Sequence, residues 1–128
     1  MSENTGLQIL TLDAYQLAAS ETADYPQATD KEALNYLIMG LVGEAGELAN
    51  KWKKYLRGDY ELSPMEVEKL IEESGDCMWY ISEISRQLWY SLSETANRNL
   101  NKLSHRKATG TIKGNGDGMR DKSTEQGE

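Results

Sequence analysis

The chain has 128 residues, 38% of them hydrophobic, and a formal net charge of −7. This length fits one domain with one core, and the acidic balance argues against binding to nucleic acid polymers or anionic membranes, which needs basic patches. A single cysteine and a single histidine exclude an intrachain disulfide and a Cys/His zinc cage. No apolar run is long enough to span a membrane and no signal peptide is recognisable, so we expect a cytoplasmic protein.

The first helix is predicted at 11–23, after an N-terminal arm of residues 1–10. Thr11 is its expected N-cap, because a threonine side chain in that position accepts a hydrogen bond from the first helical turn. Pro26 and the polar residues around it end the helix, since proline cannot continue the helical hydrogen-bond ladder.

The second helix has the clearest helical pattern in the chain. Thr29 and Glu32 form a capping box, with Asp30 as a competing cap, and Gly58 with Asp59 closes the helix. Between these ends, apolar residues recur every three or four positions, which predicts an amphipathic helix packed on the core. They are Leu34, Leu37, Ile38, Leu41, Ala45, Leu48, Trp52, Tyr55 and Leu56.

The rest of the chain contains two more predicted helices and a tail. The third helix begins at Ser63, where a capping box coincides with Pro64 at the first helical position. A fourth, with fewer apolar residues, is predicted at about 91–106. No segment alternates convincingly at period two, so the predicted class is all-α, a four-helix-type bundle. Residues 107–128 are rich in glycine and charge and are predicted to be a flexible tail.

Two pairs of acidic residues are the main functional candidates. Glu44 and Glu47 lie on the second helix, and Glu73 and Asp76 lie on the third, each pair with i,i+3 spacing. That spacing puts both carboxylates of a pair on one helix flank, where like charges repel by roughly 0.2–0.5 kcal/mol. Four such groups converging between packed helices would need a cation among them. Oxygen ligands of this kind suit Mg²⁺ or Mn²⁺.

Several neighbouring residues favour this interpretation over that of ordinary solvated helix flanks. Gly43, Gly46 and Gly75 lie inside helices beside the acids, where each costs about 1 kcal/mol relative to alanine, so we expect a close approach of another group there. Three aromatic residues, Trp79, Tyr80 and Trp89, lie off the main apolar stripe of the third helix. They predict a second packed face, and hence an oligomer or a base-stacking pocket.

These acidic stretches resemble a known family. GLVGEAGELANKWKKYLRG and LIEESGDCMWYIS are similar to the MazG-type all-α nucleoside triphosphate pyrophosphohydrolases, relatives of the all-α dUTPases. The family signature is E-x-x-E, a spacer and E-x-x-D, and the segment 99–106 resembles its N-x-x-K-L-x-x-R stretch. The resemblance covers about residues 11–106, which we expect to be the catalytic domain. The acids at the signature positions are Glu44, Glu47, Glu73 and Asp76.

The resemblance implies an activity, a cofactor and an assembly. The expected reaction is hydrolysis of an NTP or dNTP between the α- and β-phosphates, giving a nucleoside monophosphate and pyrophosphate. The four signature acids are expected to hold Mg²⁺, with Mn²⁺ as an alternative, and to be the catalytic residues. One of the glutamates could instead accept the proton of the attacking water. The expected partner beyond the nucleotide is a second copy of the chain, in a homodimer or homotetramer.

Further substrate contacts are expected from residues outside the signature. Candidates for phosphate contacts are Lys51, Lys54, Arg57 and Lys102, each of which also reads as an ordinary surface cation. Asn99 could bond the sugar or a phosphate, and Tyr80 lies on the acidic flank of the third helix. Trp52 could stack on a base, although its place in the apolar stripe favours core packing.

A function of a different class stays open. The chain could be a non-catalytic acidic helical oligomer, an adaptor or regulator whose carboxylates are simply solvated. That alternative predicts no Mg²⁺-dependent release of pyrophosphate. The preferred base and sugar are not encoded in these patterns, because the pocket is expected to combine residues of several helices.

Overall fold

The computed structural model describes residues 10–113, so most of the predicted N-terminal arm and of the predicted tail lies outside the described residues. Within this range the chain forms four α-helices and no strand, which confirms the all-α class. None of these helices is both long and apolar enough to cross a membrane. The helices are α1 (Leu12–Ser20), α2 (Asp30–Leu56), α3 (Pro64–Gln87) and α4 (Leu92–Thr109).

Three helix starts follow the predicted caps. The side-chain oxygens of Thr11 and Thr29 accept hydrogen bonds from backbone N–H groups three residues ahead, each at 3.1 Å. Ser63 accepts the equivalent bond at 3.4 Å, and Pro64 opens α3. Each bond satisfies an N–H group that the start of a helix leaves without an intrahelical partner. These caps therefore set the beginnings of α1, α2 and α3.

Two helix ends differ from the prediction. α1 stops at Ser20, three residues earlier than expected, because residues 21–23 form tight i→i+3 turns instead of continuing the α-helical ladder. α4 continues to Thr109, three residues beyond its predicted end, and closes at Gly110, whose φ is +71°. Glycine adopts this left-handed conformation without steric cost, so it is a favourable helix terminator.

The chain falls into two compact units, the first ending at Leu92 and the second starting at Ser93. In the first unit, α3 packs along α2 and also against α1. Tyr25, Ala33 and Leu37 form its buried apolar core, against which the partly buried rings of Trp79 and Tyr80 pack. The second unit contains α4 apart from its first residue, Leu92. The two longest helices are thus held side by side, with aromatic side chains of α3 against the core.

A buried polar cluster fixes Tyr25, which sequence analysis did not single out. Glu83 is only 1% exposed and accepts a hydrogen bond from Arg86 Nε at 2.5 Å. The Tyr25 hydroxyl accepts bonds from Arg86 Nη2 at 3.3 Å and from Gln87 Nε2 at 2.8 Å. Because Tyr25 also packs edge-on against Trp79, with ring centroids 6.1 Å apart, these bonds tie the segment before α2 to the aromatic face of α3.

The apolar stripe of α2 is only partly buried, which corrects the prediction that it packs on the core. Leu37 is fully buried, whereas Trp52 is 42% and Leu56 68% exposed, and the Trp52 ring tilts against Tyr55. The stripe is too wide for one neighbouring helix to cover, since packing buries only the side that faces the partner. The exposed apolar residues along this side of α2, here called the α2 stripe, are Ile38, Val42, Ala45, Ala49, Trp52 and Leu56, of which Val42 and Ala49 lie beside the predicted stripe.

Candidate functional site

The packing of α2 against α3 brings three of the four predicted acids together. Carboxylate oxygens of Glu44, Glu73 and Asp76 all lie within 4.8 Å of one another. Glu44 and Glu73 are half-buried and Asp76 is exposed. We call these three residues the acid cluster. Its members come from both signature pairs, so the cluster depends on the contact between the two helices as well as on spacing along each one.

Glu47 lies outside this cluster. It is exposed on α2, one helical turn beyond Glu44. Its role as a metal ligand or proton acceptor therefore stays a prediction. An i,i+3 pair on a helix shares a flank without its carboxylates having to converge on one point.

The acid cluster concentrates negative charge in a partly desolvated place. Burial raises the pKa of the Glu44 carboxyl, and the neighbouring charge of Asp76 raises it further, followed by a hydrogen bond with Glu73. The nearby Cys77 thiol also has a raised pKa, through burial first and then through the charge of Glu44. Both shifts have the same origin, because a concentration of carboxylates disfavours each additional negative charge.

The donor set determines which ligands the cluster fits. It offers carboxylate oxygens only, and oxygen ligands suit hard divalent cations such as Mg²⁺ and Mn²⁺ better than zinc, which favours nitrogen and sulfur. A divalent cation among the carboxylates would also relieve the repulsion that raises the pKa of Glu44. The residues present therefore fit a hard metal ion.

A cavity of about 310 Å³ opens beside the acid cluster. Its lining combines two carboxylates, Glu44 and Asp76, with Thr22, Trp79 and Tyr80. Trp79 Nε1–H donates to Thr22 Oγ1 at 2.8 Å, and the Trp79 ring packs edge-on against Tyr80 with centroids 5.0 Å apart. Aromatic walls next to carboxylates give a site in which a planar apolar group can lie close to bound cations.

Comparison with known proteins identifies the family. The family model for the MazG nucleotide pyrophosphohydrolase domain matches residues 32–111. The chain belongs to this family. The Gene 37 protein of Mycobacterium phage L5 is 51% identical over 110 residues, which cover 83% of this chain and 96% of that protein. No solved structure matches the chain. The match spans the three acids of the cluster and confirms the predicted family.

The predicted cations of α2 have different surroundings in this MazG domain. Lys51 Nζ lies 3.2 Å from Glu73 Oε1, so it pairs with a member of the acid cluster. Arg57 pairs instead with Asp59 just beyond the end of the helix, with its Nε 2.9 Å from Oδ1. Lys54 is exposed on the same helix. Contacts of these three cations with a phosphate stay predictions.

The remaining predicted substrate contacts lie on two different helices. Tyr80 lines the cavity together with Glu44, and its contact with a substrate stays a prediction. Burial raises the pKa of its hydroxyl, with a further contribution from Tyr36, so the group is an uncharged donor at neutral pH. Asn99 and Lys102 lie one turn apart on α4 and are exposed. Their roles in the MazG domain stay predictions.

The glycines beside the acids do not have the predicted role. A β-carbon at Gly43, Gly46 or Gly75 would find no atom within 4 Å, because all three face open space in the described structure. The close approach occurs at Gly40 instead, where a β-carbon would lie 2.2 Å from Tyr80 Cε1. A glycine in a helical sequence pattern does not show whether it faces open space or contacts another side chain, because the contacting side chain comes from another helix.

Sequence analysis also missed Thr22, which lies in the turn after α1 and was read as part of a helix end. Its hydroxyl donates to the Ala19 carbonyl at 2.7 Å while accepting the Trp79 indole N–H, so it links α1 to α3 at the cavity wall. The off-stripe positions of Trp79 and Tyr80 were the signals in the sequence that pointed to this wall.

Proposed function

We propose that the chain hydrolyses a nucleoside triphosphate, NTP or dNTP, to a nucleoside monophosphate and pyrophosphate, with Mg²⁺ or Mn²⁺ as cofactor. The observation that carries this proposal is the meeting of Glu44, Glu73 and Asp76 at the edge of an aromatic cavity. The family supports the reaction class, because its members are nucleotide pyrophosphohydrolases by description.

In this proposal the acid cluster holds the cofactor, and Glu47 completes the site. A divalent ion bound there would neutralise phosphate charge and lower the pKa of an attacking water. Glu47 follows Glu44 by one turn and is exposed, so it can approach as a fourth ligand or accept the proton of the water. Either role needs a carboxylate, and both predict a large loss of rate for Glu47→Gln.

The cavity would receive the nucleoside part of the substrate. Trp79 and Tyr80 offer aromatic surface, and Thr22 holds the Trp79 ring by accepting its indole N–H. The indole donor and the threonine hydroxyl proton are both already engaged, so base selection would depend on shape and stacking as much as on hydrogen bonds.

Further side chains would contact the phosphate chain of the substrate. Lys54 and Arg57 on α2, and Lys102 with Asn99 on α4, are the proposed contacts, because a triphosphate carries more charge than the cofactor alone neutralises. Each should contribute to substrate affinity more than to the chemical step. Their substitution should therefore raise KM more than it lowers kcat.

The α2 stripe supports the proposal of a homodimer or homotetramer. Its apolar residues recur at helical spacing from Ile38 to Leu56, and Val42 and Leu56 are each 68% exposed. A continuous exposed apolar surface of this kind is typical of an interface. A second copy of the chain presents the same surface and so is a suitable partner.

The proposed activity can be tested with a panel of all NTPs and dNTPs, assayed for pyrophosphate with Mg²⁺, with Mn²⁺ and with EDTA. Glu73→Gln should abolish metal-dependent release, whereas Glu72→Gln, its exposed neighbour outside the cluster, should retain it. Circular dichroism checks that both variants fold. Absence of pyrophosphate from every nucleotide with folded wild-type protein would favour the adaptor or regulator instead.

A further inference from the structure

Lys51 of α2 forms an ion pair with an acidic residue of α3 and not with one of its own helix. Its ammonium pairs with Glu73 Oε1 at 3.2 Å, although Glu47 lies one turn away on the same helix. The Tyr60 hydroxyl, from the segment between α2 and α3, donates to the Lys51 carbonyl oxygen and ties the backbone there. The ammonium is thus held beside the acid cluster by a fixed section of helix and a cross-helix ion pair.

The partner of Lys51 is one of the three carboxylates that converge. Its side chain is 33% exposed and that of Glu73 is 16% exposed, so the pair is less screened than one on the open surface. The ammonium therefore supplies positive charge to a site that otherwise contains only carboxylates. The ion pairs Arg57–Asp59, Glu66–Lys69 and Glu83–Arg86 join residues outside the cluster.

We propose that Lys51 is the built-in counter-ion of Glu73 in the metal-free protein and competes with the divalent ion for that carboxylate. The ammonium and the metal ion both carry positive charge, and both need the negative charge of Glu73. Loading the cluster therefore requires the ion pair to weaken or break. Lys51 raises the metal concentration at which the site fills, and it keeps the empty site compact. This inference rests on the proposed metal site.

If Lys51 competes with the metal ion, its loss should strengthen metal binding, whereas the loss of a residue that supports the site should weaken it. A residue that merely orients a metal ligand strengthens metal binding, so its loss weakens binding. A competing cation has the reverse effect, because its removal leaves Glu73 free and removes repulsion toward the incoming ion. The sign of the change in metal affinity thus separates the two roles without any measurement of activity.

The experiment measures Mn²⁺ binding to the full chain without nucleotide, by following free Mn²⁺ with electron paramagnetic resonance. Lys51→Met should bind Mn²⁺ about tenfold more tightly than wild type, the size expected for one unit charge near a divalent ion in water. Lys51→Arg keeps the charge and should stay near the wild-type value. Lys53→Met is the matched control, since it removes one charge from an exposed lysine that has no ion pair in the described chain.

The outcomes distinguish this inference from the proposed function. Unchanged or weaker Mn²⁺ binding in Lys51→Met, with tight binding in wild type, would overturn the competition while leaving the metal site intact. An equal gain in Mn²⁺ affinity in Lys53→Met would mean that only the net charge of the protein matters, and this would overturn the competition as well. Wild-type protein that binds no Mn²⁺, or binds it equally well after Glu73→Gln, would instead refute the metal site itself and this inference with it.

Discussion

The ring of Tyr80 lies directly against the backbone of α2 at Gly40, where a β-carbon would come within 2.2 Å of Tyr80 Cε1. No side chain other than hydrogen leaves room for the ring at this place. Gly40 precedes Glu44 by one turn, and Tyr80 follows Asp76 by one turn. The same contact therefore sets the distance between the helices beside the acid cluster and places Tyr80 in the cavity.

Gly40→Ala should damage both the fold and the cavity. Overpacking of this kind costs about 1–3 kcal/mol, of which the better helix propensity of alanine returns about 1 kcal/mol. We expect a lower free energy of unfolding and a raised KM for the nucleotide. Gly43→Ala is the control, because its β-carbon meets no atom and should leave stability unchanged or up to about 1 kcal/mol higher. Urea denaturation and substrate kinetics check both variants, and equal behaviour of the two would contradict the steric role of Gly40.

The helices could be predicted from the sequence because their signals are local. Thr29 and Ser63 start α2 and α3 through bonds to residues three positions ahead, which a sequence displays directly. The family could be recognised for a similar reason, since the two acidic motifs are short and closely spaced.

The details of the site could not be predicted, because they depend on contacts between helices. Lys51 pairs with Glu73 rather than with Glu47, and Gly40 rather than Gly43 meets another side chain. Both outcomes follow from the rotation of α2 against α3, which periodicity leaves undetermined. The prediction that the apolar stripe of α2 packs on the core was wrong for the same reason. A sequence does not show which part of a stripe the rest of the chain covers and which part stays exposed.

The contribution of Glu44 to the stability of the metal-free protein should fall as the pH rises. Burial and the neighbouring carboxylates raise the pKa of Glu44 above its ordinary value of 4.5, so the folded chain holds this proton more tightly than the unfolded chain. Glu44 therefore favours folding fully below the ordinary pKa, and this contribution is lost as the pH rises through the raised value. Glu44→Gln should be more stable than wild type above that range in EDTA.

Chemical denaturation across this pH window tests the sign. The difference in unfolding free energy between Glu44→Gln and wild type should grow with pH in EDTA and shrink or reverse with saturating Mg²⁺. Glu72→Gln, an exposed residue of α3 outside the acid cluster, serves as the control for removal of one negative charge. A difference that is independent of pH would mean that the carboxylates do not interact as the structure indicates.

Trp89, two residues beyond the end of α3, has a left-handed backbone conformation that residues with a β-carbon disfavour. Its φ is +65°, the Tyr90 N–H reaches the Ser85 carbonyl at 2.9 Å, and the side chain is 91% exposed. This is the position at which helices commonly place glycine. Trp89→Gly should therefore raise the free energy of unfolding by about 1 kcal/mol, whereas Trp89→Ala keeps the β-carbon and should not. Thermal denaturation of both variants decides, and a loss of stability in Trp89→Gly would contradict the backbone strain at this position.

The α2 stripe should control the association state. Val42→Asp puts a charge in the middle of this exposed apolar row, on a side of α2 that faces away from Glu44. If two copies pack through the stripe, the buried charge would cost several kcal/mol per subunit, so the variant should sediment as a monomer at concentrations where wild type associates. Leu17→Asp, an equally drastic change at an exposed apolar residue of α1, should leave association unaltered. Sedimentation velocity measures all three proteins. A monomeric wild type would refute the interface, whereas association of Val42→Asp would mean that the copies associate through another surface. Activity that disappears with association would further indicate that each site needs the neighbouring copy.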